Sequence, residues 1–272
     1  MQTEGVQGRN RTVSDFIQTR EDGVLTLTFN RPDRRNALSP GMRIGLREAL
    51  EQTRIKGDCR CVLLTGSGGS FCAGADLDLD TILSRRATIE GEMQRGVNQI
   101  VTLMRDLAVP IVAAVDGPAA GAGFGLALAA DFLIVSDRAR FHLSFPKIGA
   151  SPDAGVVPAL VNRIGAARAT AAAMLGQPMT SDQALALGLA YARVPADDLV
   201  KEARALARTL SEGPTRSYAM TKRLVNAAVA GQPVEQALAL EAACQQQAFA
   251  TQDFEEGVRA FADKRAPVFT GT

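Results

Sequence analysis

Residues 111–136 narrow most sharply the folds open to this chain. They read IVAAV, a turn at Asp116-Gly117-Pro118, a run of small and apolar residues over 119–130, then FLIVS. The two flanking runs are short, apolar and β-branched, as buried strands are. The segment between them predicts a helix with no polar face, and such a helix has to be enclosed by other elements. A strand, an enclosed helix and a second strand within 26 residues point to an α/β core.

The rest of the chain fits that frame. Residues 24–29 (VLTLTF) alternate apolar residues with Thr, a half-buried strand, and residues 61–65 (CVLLT) form another. Ser39-Pro40 predicts an N-cap and first helical position, opening a helix to about residue 54. A further helix is expected over 92–107. From residue 154 onward helices dominate: 154–163, 165–174, 181–188, 197–211, 215–229, 234–250 and 252–264. The division that follows is a disordered polar leader over 1–13, a core over 14–200 and a C-terminal helical region over 201–272.

The charge balance excludes some partners. With 30 Lys+Arg against 29 Asp+Glu there is no global field to hold nucleic acid or an anionic membrane, so an anionic ligand needs local groups. No apolar stretch approaches ~18 residues and the N-terminus lacks an apolar signal region, so a cytoplasmic protein is expected. Cys59, Cys61, Cys72 and Cys244 are expected to be buried free thiols. With His142 the only histidine, no metal site is expected.

Two segments carry the chemistry. One is Phe71-Cys72-Ala73-Gly74-Ala75-Asp76-Leu77, after a strand and a glycine turn; the other is Asp116-Gly117-Pro118-Ala119-Ala120-Gly121-Ala122-Gly123-Phe124-Gly125-Leu126. Both place backbone at a strand-to-helix edge. Ala122 stands at a helix start, where N–H groups are unpaired and the helix dipole favours negative charge. Two such N–H groups aimed at one point make an oxyanion hole. The rival reading of the glycines is a dinucleotide loop, but the spacing is G-x-G-x-G, not G-x-G-x-x-G.

FCAGADL, DGPAAGAGFGLALAADF, SPDAG (residues 151–155) and RPDRRNALS (residues 31–39) together resemble the crotonase (enoyl-CoA hydratase/isomerase) superfamily over about residues 26–270. The resemblance implies an α/β, ClpP/crotonase-like spiral of ββα units with a helical C-terminal trimerisation region. It implies an acyl-CoA thioester substrate that carries its own coenzyme A, with no further cofactor. It places the oxyanion amides at Ala73 and Ala122. Arg34, Arg35, Ala37, Ala75, Asp76 and Leu77 match positions that meet coenzyme A. Phe261 and Lys264, in a terminal F-x-x-K-R-x-P-x-F segment, match residues that reach the CoA of a neighbouring subunit in a homotrimer or dimer of trimers. Residues 78–95 are expected to wall the acyl group.

The reaction turns on carboxylates. The two glutamates of the family's hydratases fall here at Gly125 and Phe145, so hydration lacks its acid and base. One carboxylate remains: Asp153 in SPDAG resembles the acid/base of the isomerase branch, and its alternative role is N-cap of the helix that follows. Its expected surroundings are an apolar pocket including Phe124 and Phe145, with a pKa raised by desolvation unless Lys147 pairs with it. The favoured activity is a double-bond shift in an enoyl-CoA. The alternatives are hydration, hydrolysis of a CoA ester, and acyl-CoA binding without catalysis. Displacement of an aryl halide is disfavoured, because that branch uses a Trp and this chain has none.

Overall fold

The computed structural model describes residues 14–76 and 79–272. The expected leader, residues 1–13, and Leu77 lie outside the described residues. The chain opens with β1 (Phe16–Glu21) and β2 (Val24–Phe29), then α1 (Pro40–Lys56) and β3 (Cys61–Gly66). Helices α2 (Leu79–Ser84), α3 (Ile89–Arg95) and α4 (Val97–Asp106) lead to β4 (Ile111–Val115), β5 (Pro118–Ala120), α5 (Ala122–Ala129), β6 (Phe132–Ser136) and β7 (Arg140–His142). After them come α6 (Val156–Ile164), α7 (Ala166–Leu175), β8 (Met179–Thr180), α8 (Ser181–Ala186), β9 (Ala192–Val194) and α9 (Leu199–Ser211). Helices α10 (Thr215–Val229), α11 (Val234–Phe249) and α12 (Gln252–Ala262) finish the chain.

The main sheet has the order β1-β2-β3-β4-β6-β9. Only the β1–β2 pair is antiparallel. Every residue of β4 is buried, as its unbroken IVAAV run requires of a strand covered on both faces. In β2 the alternation works as read: Leu25, Leu27 and Phe29 are inside. One face of the sheet packs Cys61, Leu63, Val112, Ala114 and Ile134 against Leu199, Ala203, Ala207 and Leu210 of α9. On the other face α1, α4 and α5 join the larger core. A second sheet, β5-β7-β8, pairs β5 parallel and β8 antiparallel to β7. This sheet order and the run of helices that closes the chain match the core and helical C-terminal region that the resemblance implies.

Local signals explain the boundaries. Ser39 accepts the Met42 amide at 3.2 Å with Pro40 beside it, the cap expected for α1. The helix expected over 92–107 is instead two helices, α3 and α4, broken at Gly96. The helix expected over 119–130 begins only at Ala122, because residues 118–120 pair with β7 as strand β5. Gly121 makes the switch with φ 50 and ψ −123, a backbone that side chains exclude. Helix α9 lies across the expected boundary at residue 200 and belongs to the sheet packing.

Helix α10 and the segment after α12 are tied down by polar side chains. Lys222 lies 2.8 Å from Asp131 and donates to the Val109 carbonyl, and Asn226 donates to the Arg105 carbonyl. Arg60 donates to Thr215 and to the Gly213 and Phe269 carbonyls. All four cysteines are free and buried, and burial pushes the Cys72 thiol up to about 12. Among the described residues no helix is long and apolar enough to cross a membrane.

Candidate active site

Two chain segments meet beside the start of α5. Cys72 bridges in parallel to Ala119: its amide donates to the Pro118 carbonyl, and its carbonyl accepts the Ala120 amide. Amides alternate sides along an extended chain, so the next one, Ala73, faces away. It donates to the Arg35 carbonyl at 2.9 Å. The Ala73 amide is therefore spent, and the structure corrects the expectation that it serves as an oxyanion donor.

The alternation selects another residue. Leu38 pairs in parallel with Ala75, and the Leu38 amide donates to the Gly74 carbonyl at 2.8 Å. In that register the Asp76 amide turns toward Leu38 and the Ala75 amide turns the opposite way. The opposite side is that of Ala122: a Cβ built on Gly74 would lie 2.7 Å from the Ala120 carbonyl oxygen and 3.5 Å from the Ala122 nitrogen. Ala122 is the first residue of α5, so its N–H has no partner four residues back within the helix. Ala75 and Ala122 are thus the pair of backbone donors the fold brings together.

The loop that fixes this arrangement is the RPDRRNALS motif, read in the sequence for coenzyme A contacts but not for the anchoring roles of Arg31 and Asn36. Asn36 is fully buried; its side chain accepts the Arg31 amide and donates to the Ser67 and Ser70 carbonyls. Arg35 and Asn36 both take left-handed φ values, 47 and 57, which turn the Arg35 carbonyl toward Ala73. Arg31 donates to the Ala37 carbonyl and, at 2.8 Å, to the Asp76 carboxylate. The Asp76 side chain is engaged there, and Ala37 is buried. Arg34 and Arg35 are exposed at the rim. Phe261 is 87% exposed, on α12, and Lys264 follows the end of that helix at φ 53.

Asp153 is not the cap of α6. That position is Gly155, with no side-chain cap bond, and Asp153 contributes only its carbonyl, to Val156 N–H. Its Oδ1 is buried and has no hydrogen-bond partner. Desolvation raises its pKa above the ordinary 3.8, opposed only by a bond from its own backbone. Among the described residues no cation pairs with it, and Lys147 is exposed. The proximity of Lys147 is felt instead by His142, whose pKa is lowered chiefly by burial, then by Lys147 and Arg140.

The expected pocket residues divide. Phe124 is 1% exposed and packs its ring 4.7 Å from that of Phe141, so it is a core residue and not a pocket wall. An all-apolar helix gives no hint of which face meets a ligand, and α5 is buried all round. Phe145 is half-buried, its ring 3.6 Å from where a Cβ on Gly121 would sit. Gly125 is pressed against the loop that carries Asp153: a Cβ there would meet the Ala154 carbonyl oxygen at 2.4 Å and the Ala154 Cβ at 2.7 Å. Ala154 itself has φ 52, the left-handed region. The space for a carboxylate at 125 is thus filled by the backbone that follows Asp153. A cavity of about 760 Å³ between α5, α6 and α10 is lined by Gly125, Ala154 and Gly155 but not by Ala75, Ala122 or Asp153.

Comparison with known proteins shows the family to which the chain belongs. Residues 19–272 match a family model described as enoyl-CoA hydratase/isomerase. The chain is 37% identical to a Rhodobacter capsulatus protein named "Probable enoyl-CoA hydratase", over 92% of this chain and 95% of that one. It is 38% identical to the 1,2-epoxyphenylacetyl-CoA isomerase of Escherichia coli, over 92% and 96%. The crystal structure of an enoyl-CoA hydratase from Polaromonas sp. JS666 superposes with a TM-score of 0.87 at 32% identity, covering 94% of this chain and 99% of that one. The names of these relatives span both hydration and isomerisation.

Proposed function

The chain belongs to the enoyl-CoA hydratase/isomerase family, and within it we propose that it is an isomerase moving a double bond along an acyl-CoA thioester. The observation that carries the reading is the buried, unpartnered carboxylate oxygen of Asp153, together with the absence of room for any carboxylate at Gly125.

The steps need one base and two donors. The Asp153 carboxylate removes a proton from C2 of a 3-enoyl thioester. The electron pair moves onto the thioester oxygen, giving a dienolate held by the Ala75 and Ala122 amides. The same proton is returned to C4, the double bond settles between C2 and C3, and the carboxylate is regenerated. Fixed backbone donors suit charge that develops on the oxygen, and each is typically worth ~3–4 kcal/mol in such sites. Desolvation raises the Asp153 pKa and makes it a stronger base than an ordinary aspartate. Hydration would need a second carboxylate to position water, and Phe145 offers none.

Arg34 and Arg35, exposed beside Ala37 and Ala75, would meet the phosphates and nucleotide of CoA. The assembly would be a trimer or a dimer of trimers. Its support is the apolar surface left bare on the last three helices, including Val225, Val234, Leu238, Phe249 and Phe261. In that assembly Phe261 and Lys264 would reach a neighbour's CoA.

The test is a panel of 3-enoyl-CoA and 2-enoyl-CoA esters. Wild type is expected to convert the former to the conjugated 2-enoyl thioester without accumulating 3-hydroxyacyl-CoA. Turnover should fall as pH drops through the Asp153 pKa, at a pH above 3.8, because the base must be ionised. Accumulation of the 3-hydroxyacyl ester at comparable rates would favour the hydratase. Tight binding with no turnover of any ester would favour a binding protein.

A further inference from the structure

Away from this site, a pocket of about 270 Å³ opens between the first half of α1 and the α3–α4 junction. Four guanidinium groups line it, Arg43, Arg47, Arg85 and Arg95, with Glu92 the only acid among the lining residues. Glu92 is already engaged: Arg85 donates to one of its oxygens and Thr88 to the other. Four cations less one anion leave three positive charges without a counterion in the lining.

Arg95 is exposed, but the other three guanidinium groups are half-buried. The Arg47 Nε is buried with no hydrogen-bond partner, and the nearest carboxylate, Glu51, is 3.9 Å away along the helix. Arg43 is half-buried, and its pKa is lowered first by desolvation and then by the charge of Arg85. Neither Arg43 nor Arg95 has a side-chain hydrogen bond or ion pair among the described residues. Like charges drawn together and partly stripped of water destabilise the fold unless a ligand compensates them. A guanidinium fork pairs with the oxygens of a carboxylate or a phosphate group, and a phosphate, at about −1.5 to −2, offsets more than one such cation. The pocket is also separate from the coenzyme A positions: none of Arg34, Arg35, Ala37, Ala75 or Asp76 lines it.

We propose that the Arg43–Arg47–Arg85–Arg95 pocket is an anion site for a free phosphate-class ligand, such as inorganic phosphate or pyrophosphate, occupied at the same time as the acyl-CoA site. Because its residues come from α1 on one side and from the turn at Arg85, α3 and the start of α4 on the other, the bound anion would hold these segments together.

The experiment is a titration of the full chain with inorganic phosphate and pyrophosphate at constant ionic strength, with chloride as control. Heat of binding and Tm are read together. Wild type should show saturable heat and a saturable rise in Tm, both absent with chloride. Arg43→Gln/Arg47→Gln should weaken binding about tenfold or more, as expected when charge-assisted hydrogen bonds are lost. Arg95→Gln, a change at an exposed side chain, should weaken it too and guards against misfolding of the double variant. Saturating CoA should leave the binding of phosphate to the wild type unchanged. Absence of saturable binding, equal binding by the variants, or displacement of phosphate by CoA would each overturn the proposal. Displacement would mean that the pocket receives the substrate's own phosphates.

Discussion

Asp153→Asn should reduce isomerase turnover by roughly 10²–10⁴-fold, the usual contribution of a positioned acid/base, while acyl-CoA affinity stays at the wild-type level. Asn keeps the shape and cannot take the proton. The same variant carries a stability signature that a purely structural aspartate would not give. Desolvation raises the Asp153 pKa in the fold above its unfolded value, so between those two values the folded state holds more protons than the unfolded one. Stability then falls as pH rises through that window and stays lower at neutral pH. Asn never carries the charge, so the variant should melt higher than wild type at pH 7. The difference should shrink toward zero below about pH 4, where an ordinary aspartate is also protonated. Loss of activity with a lower Tm at pH 7 would point to a structural role instead.

Gly125→Glu restores a glutamate at the position where hydratases of the family carry one, yet it should not create a hydratase. A Cβ there lies 2.4 Å from the Ala154 carbonyl oxygen, a backbone atom that cannot swing aside. Overpacking of this kind typically costs about 1–3 kcal/mol and sometimes more. Ala154 directly follows Asp153 and already occupies the left-handed region, so relief of the clash has to move the catalytic loop. Displacement of a catalytic group by an ångström can cost about 10²-fold in rate. The expected result is a lower Tm, isomerase turnover down by about that factor, and no 3-hydroxyacyl-CoA. Chemical denaturation and product analysis on the same preparation check it. A stable variant that hydrates 2-enoyl-CoA would show that the loop yields at little cost.

The parts of the site legible in sequence were those carried by residue type. FCAGADL and DGPAAGAG marked two backbone edges, Asp153 stood out as the remaining carboxylate, and Gly125 and Phe145 stood out as missing ones. The choice between Ala73 and Ala75 was not legible, because it depends on which neighbour each amide faces. That is set by Arg35 and Leu38, some forty residues earlier. Nor could sequence separate pocket from core on α5, where every position is apolar and buried, so Phe124 passed for a pocket wall.

The strands followed the same logic. The runs IVAAV, FLIVS and CVLLT announced themselves by composition and formed β4, β6 and β3. Strand β1 (FIQTRE) is an exposed edge with little apolar content, and β7, β8 and β9 are two or three residues long, too short for periodicity to register. Residues 119–120 carry good helix formers that the pairing with β7 overrides. The arginine pocket was invisible for a different reason. Arg43 and Arg47 lie one helical turn apart, but Arg85 and Arg95 come to them only through the packing of α4 on α1 and of α3 on α4.

The central claim is that one thioester oxygen is held by two backbone amides beside a single aspartate. Its most direct test is a crystal structure with a bound, unreactive acyl-CoA. The thioester oxygen should lie about 2.7–3.1 Å from the nitrogens of both Ala75 and Ala122, with the Asp153 carboxylate within reach of C2 and C4. A thioester oxygen bonded to neither amide, or an Asp153 carboxylate turned away from the acyl carbons, would contradict it.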